Sequence, residues 1–196
     1  REGAGGRGGW AGAGGWWRWC GARRLVIQGA RGGRPATFEY RLYQALLGAW
    51  PLDQRDDGLR ERMQAYALKA AREGKQETSW LNPHQAYEAG VQAFVARILD
   101  RAVSAEFIES LEKLARRLAL LGALNSLSQI TLKATMPGVP DFYQGTELWD
   151  LSLVDPDNRR PVDFAVRAKA LAAVETPDWD DLVQNWPEGH LKLAWT

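Results

Sequence analysis

A mostly α-helical chain carrying a single barrel-type β-strand near residues 141–144 is the fold class this sequence predicts. Three observations carry the prediction. Apolar residues recur at helical spacing in four successive stretches between Phe38 and Thr135. The four residues DFYQ, Asp141 to Gln144, are followed at once by Gly145. A long polar stretch, LWDLSLVDPDNRRPVD, comes next. Buried helix, short strand, glycine and polar loop in that order make up one turn of a (β/α)8 barrel. Gly145, Thr146 and Glu147 then lie at the carboxyl end of the strand, where such barrels keep their active sites.

Residues 1–35 stand apart from this pattern. They hold 12 glycines, four tryptophans, seven arginines and one glutamate, without helical period, and only Leu25 to Ile27 suits a short strand. A glycine-rich, aromatic arm for RNA would need a repeat that is not there, and GAGGRGG has neither the preceding strand nor the lysine of a nucleotide-binding loop. The segment reads instead as disordered or as an out-of-frame translation of a GC-rich gene.

From Phe38 the chain changes character. Phe38, Leu42, Leu46 and Trp50 recur every four residues with Tyr43 and Leu47 alongside, a helix that Pro51 ends. A second helix is predicted over Leu59 to Glu73, with Leu59, Met63, Tyr66 and Ala70 inward and Gly74 as its stop. KQETSWLNPHQ is a loop by composition. Within it Asn82 reads as the cap of the next helix, with Pro83 in the first turn, Gln85 closing a capping box, and His84 at the surface. The third helix turns Tyr87, Val91, Phe94, Val95 and Ile98 inward. The fourth starts near Ser104, uses Phe107, Ile108, Leu111, Leu114, Leu118 and Leu121, and is expected to bend at Gly122. Its second half, NSLSQITLKAT, carries so little charge that burial on most sides is expected. A further helix is predicted from Pro161–Asp163 to about Glu175.

The segment PGVPDFYQGTELWDLSLVDPDNRR, from Pro137, concentrates the chemistry. Glu147, Asp155, Asp157, Arg159 and Arg160 suit a surface salt-bridge cluster, while Phe142, Tyr143 and Trp149 beside them suit a carbohydrate site, where flat rings meet carboxylates that grip hydroxyls. DPDN lacks the further oxygen ligands of a calcium loop. PGVPDFYQGTE resembles the final strand motif of the alpha-amylase family of glycoside hydrolases. ELWDLSLVDPDNRRPVD resembles its maltooligosyl trehalose synthase branch. EYRLYQALLGAWP, KQETSWLNPHQAYE and GALNSLSQITLKATMPG extend the resemblance, which covers about Phe38 to the end.

The resemblance implies a fragment of a (β/α)8 TIM barrel of the alpha-amylase type with a large helical insertion. It divides the chain into four parts: an unmatched segment over 1–35, a helical subdomain over 36–103, the last part of the barrel over 104–175, and the truncated start of the following region over 176–196. The implied reaction is intramolecular transglycosylation, in which the reducing-end α-1,4 bond of a maltooligosaccharide becomes an α,α-1,1 bond with retention. The family's nucleophilic Asp, acid Glu and stabilising Asp are expected upstream of this chain. No residue here is therefore assigned as catalytic, and the fragment alone is expected to be inactive. The residues expected to line the substrate site are Lys75 and Trp80 from the loop, Tyr143, Gln144 and Glu147 at the strand end, and Asp157, Asn158, Arg159 and Arg160 beyond. Lys75 and Trp80 equally suit a solvated lysine and a loop anchor, and Arg160 equally suits pairing with Asp155 or Asp157. The alternatives are another glycosidase of the family, such as the trehalose-releasing hydrolase, and a non-enzymatic helical binding module built on residues 38–135.

Composition narrows the partners. From Ala36 onward there are 18 basic and 23 acidic residues, which offers no footprint for a nucleic acid backbone. With Cys20, His84 and His190 as the only cysteine and histidines, no disulfide forms within the chain and a zinc site is not expected. No cofactor or metal is implied. The absence of a long apolar run and of a signal-peptide pattern leads to the expectation of no membrane partner and a cytoplasmic location, with the oligomeric state open.

Overall fold

The computed structural model describes residues 36–52 and 58–196. The expectations for residues 1–35, disorder or an out-of-frame origin and a strand at Leu25 to Ile27, lie outside the described residues. The described chain is mostly helical. In order it forms α1 (Ala36–Gly48), α2 (Leu59–Gly74), α3 (Gln85–Ile98), α4 (Arg101–Thr135), a 3-10 turn (Asp157–Arg159), α5 (Phe164–Ala173), α6 (Trp179–Gln184), a second 3-10 turn (Trp186–Glu188) and α7 (His190–Trp195).

Most of the predicted stripes meet in one core, but in α2 Ala67 and Ala71 are buried where Tyr66 and Ala70 were the expected inward residues, and Leu118 and Leu121 of α4 face outward. Leu42 and Leu46 of α1, Met63 and Ala67 of α2, Val91 and Val95 of α3, and Phe107, Ile108 and Leu111 of α4 are all buried together. Each large aliphatic side chain removed from water in this way stabilises the fold by about 1.5–3 kcal/mol. The Tyr43 ring joins two of these helices, lying 6.4 Å from Phe94 and 5.6 Å from Phe107 in tilted geometry. Leu153 enters the same core from the polar loop and ties that loop to the helices.

Aspartates start the later helices. Asp100 accepts from the Ala102 N–H, Asp163 from Val166 and Asp178 from Asp180 and Asp181, each satisfying donors that have no partner within the helix. The α3 start differs from expectation, because Asn82 is not its cap. The Asn82 N–H donates to Ser79 Oγ at 3.0 Å and its carbonyl accepts from the Ser79 N–H, which commits it to a separate turn. His84 holds the cap position and is exposed, as expected; its N–H is satisfied by Thr78 Oγ1 at 3.0 Å, a donor–acceptor match made across the loop.

Three further expectations are corrected. The fourth helix breaks at Ser104 (φ −129°, ψ 30°), not at Gly122. Ser104 is fully buried and its hydroxyl donates to the Arg97 carbonyl at 2.7 Å, which pins the chain between α3 and the body of α4. Gly122 faces open space, so nothing presses the helix to bend there. The second half of α4 is not buried on most sides: Leu121 and Leu124 are 50% and 53% exposed. Low charge removes the cost of burial, but burial also needs a neighbour: Trp195 reaches Thr131 at 2.8 Å, while Leu124 and Leu132 stay more than half exposed. The strand near 141–144 is also missing, and no strand occurs among the described residues. A strand exists only within a ladder. The Tyr143 carbonyl is instead engaged locally, by the N–H and hydroxyl of Thr146 at 3.3 and 2.6 Å.

Candidate functional site

The site residues fall in three segments. Loop 75–84 leaves the end of α2. Lys75 closes that helix with φ 53°, in the left-handed region, and its side chain is exposed. Trp80 is also exposed, and the Arg72 guanidinium lies 4.8 Å from the centre of its ring, so one face is already occupied by a cation. Behind it Arg72 donates to both Glu88 oxygens at 2.9 and 2.6 Å, and Thr78 Oγ1 donates to Glu88 at 2.6 Å. Arg72 first and Thr78 second hold the Glu88 carboxyl down at about 2, against the opposing effect of burial. Arg72, Thr78 and Glu88 carry no sequence signal for this network. The contacts that join them span three elements.

The second segment is the turn after Tyr143. Gly145 sits at φ 89°, and a Cβ there would lie 2.9 Å from Val162 Cγ2, so the turn needs glycine on both grounds. Tyr143 and Gln144 are exposed ahead of it. Glu147 turns back: Oε1 accepts from the Gly145 N–H at 3.2 Å and Oε2 from Arg167 Nε at 2.8 Å. Burial works to raise its pKa, but its own N–H, Arg167 and the Gly145 N–H outweigh burial and keep the carboxyl below its ordinary value. Both oxygens of the Glu147 carboxyl are thus engaged, one by the Gly145 N–H and one by Arg167.

The third segment is the loop 151–160. Asp157 is largely enclosed, while Asn158, Arg159 and Arg160 are exposed. It pairs with Arg62 of α2 through Nε at 3.0 Å to each oxygen and Nη2 at 2.9 Å, and it accepts from the Leu153 N–H at 2.6 Å. The pair is nearly buried, 8% and 11% exposed, so it holds structure. Burial raises the Asp157 pKa while Arg62, the Leu153 N–H and Arg160 lower it, with the lowering dominant. Arg160 pairs with Asp157 at 3.3 Å and reaches Ser152 Oγ at 3.3 Å, while Arg159 pairs with Asp155. Lys69 donates to the Asp155 carbonyl. Asn158 is exposed on the same turn. Arg62 and Lys69 carry no sequence signal for this job, since their partners lie 95 and 86 positions away.

The structure gathers Asp157, Asn158, Arg159 and Arg160 on one turn, and Tyr143, Gln144 and Glu147 on another. No hydrogen bond, ion pair or ring contact between described residues joins Lys75 or Trp80 to either turn. A cleft of about 260 Å³ lies between α1, α2 and Val154, lined by Arg41, Tyr66, Lys69, Ala70, Glu73 and Gly74, and it includes none of the expected site residues. Among the described residues no cluster of three His, Cys, Asp or Glu is placed to hold a metal ion, and no helix is long and apolar enough to cross a membrane.

No protein-family model matches the chain. Two Mycobacterium tuberculosis proteins, from strains CDC 1551 / Oshkosh and H37Rv, each provisionally named maltooligosyl trehalose synthase, are 44% identical to it over 137 residues. The match covers 69% of this chain but 17% of theirs. A crystal structure of a maltooligosyl trehalose synthase superposes on 93% of this chain with a TM-score of 0.74 at 31% identity, using 24% of its own length. The maltooligosyltrehalose synthase from Arthrobacter ramosus gives a TM-score of 0.65 at 37% identity, over 92% of this chain and 22% of its own. A hypothetical maltooligosyl trehalose synthase from Sulfolobus tokodaii gives 0.69 at 31% identity, over 92% and 23%. By sequence and by backbone, the chain is homologous to one segment of the maltooligosyl trehalose synthases.

Proposed function

We propose that this chain forms one wall of the sugar site of a maltooligosyl trehalose synthase, inside a (β/α)8 barrel of the alpha-amylase type that carries a helical insertion. The 44% identity over 137 residues is the observation that carries this reading. The reaction moves the reducing-end glucose of a maltooligosaccharide from an α-1,4 to an α,α-1,1 linkage. Retention requires a carboxylate nucleophile and a carboxylic acid donor. No acid of this chain is assigned to either role.

The chain contributes binding and order. Tyr143 and Gln144 project an exposed ring and an exposed amide, Trp80 offers the ring face opposite Arg72, and Lys75 adds a cation that donates to hydroxyls. Asn158 adds an exposed amide on its turn. Asp157, Arg159 and Arg160 act by holding the loop 151–160 against α2, and Glu147 by shaping the turn before it. Excluding water while the glucose turns is what separates an isomerase from a hydrolase, so a rigid wall serves the chemistry directly. The division into a helical subdomain over 36–103, a barrel part over 104–175 and a following region over 176–196, and action in the cytoplasm, belong to the same reading.

Maltopentaose incubated with the full-length natural protein tests it. A nonreducing product of unchanged length is expected. Shorter sugars would make the protein a hydrolase of the same family, and unchanged maltopentaose would leave the helical binding module.

A further inference from the structure

The guanidinium of Arg167, on α5, meets three acceptors at once. Nε donates to Glu147 Oε2 at 2.8 Å, Nη2 to the Gly145 carbonyl at 2.6 Å and Nη1 to the Asp163 carbonyl at 3.0 Å. Two of these acceptors lie on the turn after Tyr143 and the third caps the helix that bears Arg167. Gly145 closes the arrangement by donating its N–H to Glu147, and its left-handed conformation is backed by Val162. A second cation secures the other end of the segment: Lys192 is buried and donates to the Leu148 carbonyl at 3.2 Å, with its Nζ 5.7 Å from the Trp149 ring centre. Trp149 Nε1 in turn donates to the Trp186 carbonyl at 2.6 Å. Both oxygens of the Glu147 carboxylate are thus engaged within the turn, while the side chain stays 40% exposed. Tyr143 and Gln144, just ahead of it, stay exposed.

We infer that Arg167 is a positioning residue: it fixes the turn 143–147 so that Tyr143 and Gln144, and not Glu147, face the glucose units of the maltooligosaccharide. The sugar named here rests on the function proposed above. A fork of planar donors can satisfy three acceptors in fixed directions, whereas an ammonium at the same place supplies charge without that geometry.

The test uses the full 196-residue chain with labelled glutamate carboxyl carbons and fluorotyrosine, read by NMR with and without maltopentaose. In Arg167→Gln the Glu147 carboxyl is expected to titrate higher than in the parent, the Tyr143 signal to broaden, and maltopentaose binding to weaken about tenfold. Arg167→Lys is expected to restore the titration but not the sharp Tyr143 signal. Glu147→Gln keeps the shape of the side chain and an acceptor for Arg167 but turns its NH2 toward the Gly145 N–H, and because Arg167 still holds the Gly145 carbonyl it is expected to weaken binding less than Arg167→Gln does. The inference is overturned if Glu147→Gln loses as much affinity as Arg167→Gln while the Tyr143 signal stays sharp in both, because Glu147 would then grip the sugar itself. A parent chain that shows no response to maltopentaose would remove the sugar reading alone; the Tyr143 line width and the Glu147 titration would still decide whether Arg167 holds the turn. If Arg167→Gln does not fold, the Glu147→Gln and Arg167→Lys results decide.

Discussion

Lys75 ends α2 with φ 53°, a conformation that costs a residue with a side chain about 1–2 kcal/mol and that glycine adopts freely. The sequence places the helix stop at Gly74, one residue early; the strained position falls on the lysine. Strain retained at a candidate site residue is the pattern of a position kept for its side chain. Lys75→Gly is therefore expected to raise the stability of the chain by about 1 kcal/mol in urea unfolding while weakening maltopentaose binding, and a stability gain with unchanged binding would remove Lys75 from the site. Glu88 gives a second prediction. Its carboxyl is held at about 2 against an ordinary value of 4.5, so its ionisation stabilises the fold fully above about pH 4.5 and loses that effect as pH falls toward 2. Glu88→Gln is expected to cost about 1–3 kcal/mol near neutrality and to flatten the fall in stability between those limits, measured by urea unfolding at stepped pH. Gly145 behaves oppositely to an ordinary glycine: with a Cβ 2.9 Å from Val162 Cγ2 and φ 89°, Gly145→Ala is expected to destabilise by more than 1 kcal/mol. Sequence marks Gly145 as a turn, but only the packing of Val162 shows that the position has no room.

Among the elements, α4 departs most from its sequence. A glycine within a helical pattern suggests a bend, yet Gly122 continues the helix with nothing near the position of its absent Cβ. Gly122→Ala is expected to raise the melting midpoint, since it removes about 0.8–1 kcal/mol of unfavourable helix propensity without any steric cost. The break lies at Ser104, whose hydroxyl is drawn to the Arg97 carbonyl seven residues back, a local contact that periodicity does not report. The loop 151–160 offers a complementary case. Its acids and arginines are plain in sequence, and so is the option that they pair with one another. Their anchor, Arg62, lies 95 residues from Asp157 in a helix that looks ordinary by itself. Arg62→Met is expected to raise amide exchange across 151–160 by an order of magnitude or more, because Asp157, the Leu151 carbonyl and the Leu153 N–H would lose the arrangement that holds them.

At the scale of the whole molecule, the core of α1, α2, α3 and the first half of α4 is continuous, while the second half of α4 presents Leu118, Leu121, Leu124 and Leu132 to water. A contiguous apolar face of this kind promotes association. The chain is expected to self-associate in sedimentation at rising concentration, and Leu121→Glu with Leu124→Glu to suppress this with little change in melting. Unfolding of the chain is expected to be broad, with the helical signal lost over a wide temperature range, because among the residues after 160 the buried Ala170, Val174 and Leu182 lie outside the main helical core. The periodicity of apolar residues determined the helices and the inward faces of α1 and α3, and the run from Pro137 to Arg160 determined the kinship with the synthases, since both are local properties of the chain. Tertiary structure alone decided which charges are free and which are enclosed, that Asp157 belongs to Arg62 and Glu147 to Arg167, and that DFYQ without a ladder forms no strand. Those outcomes depend on partners brought from distant parts of the chain, and a pairing energy has no signature at either end of the sequence until the fold has closed the distance.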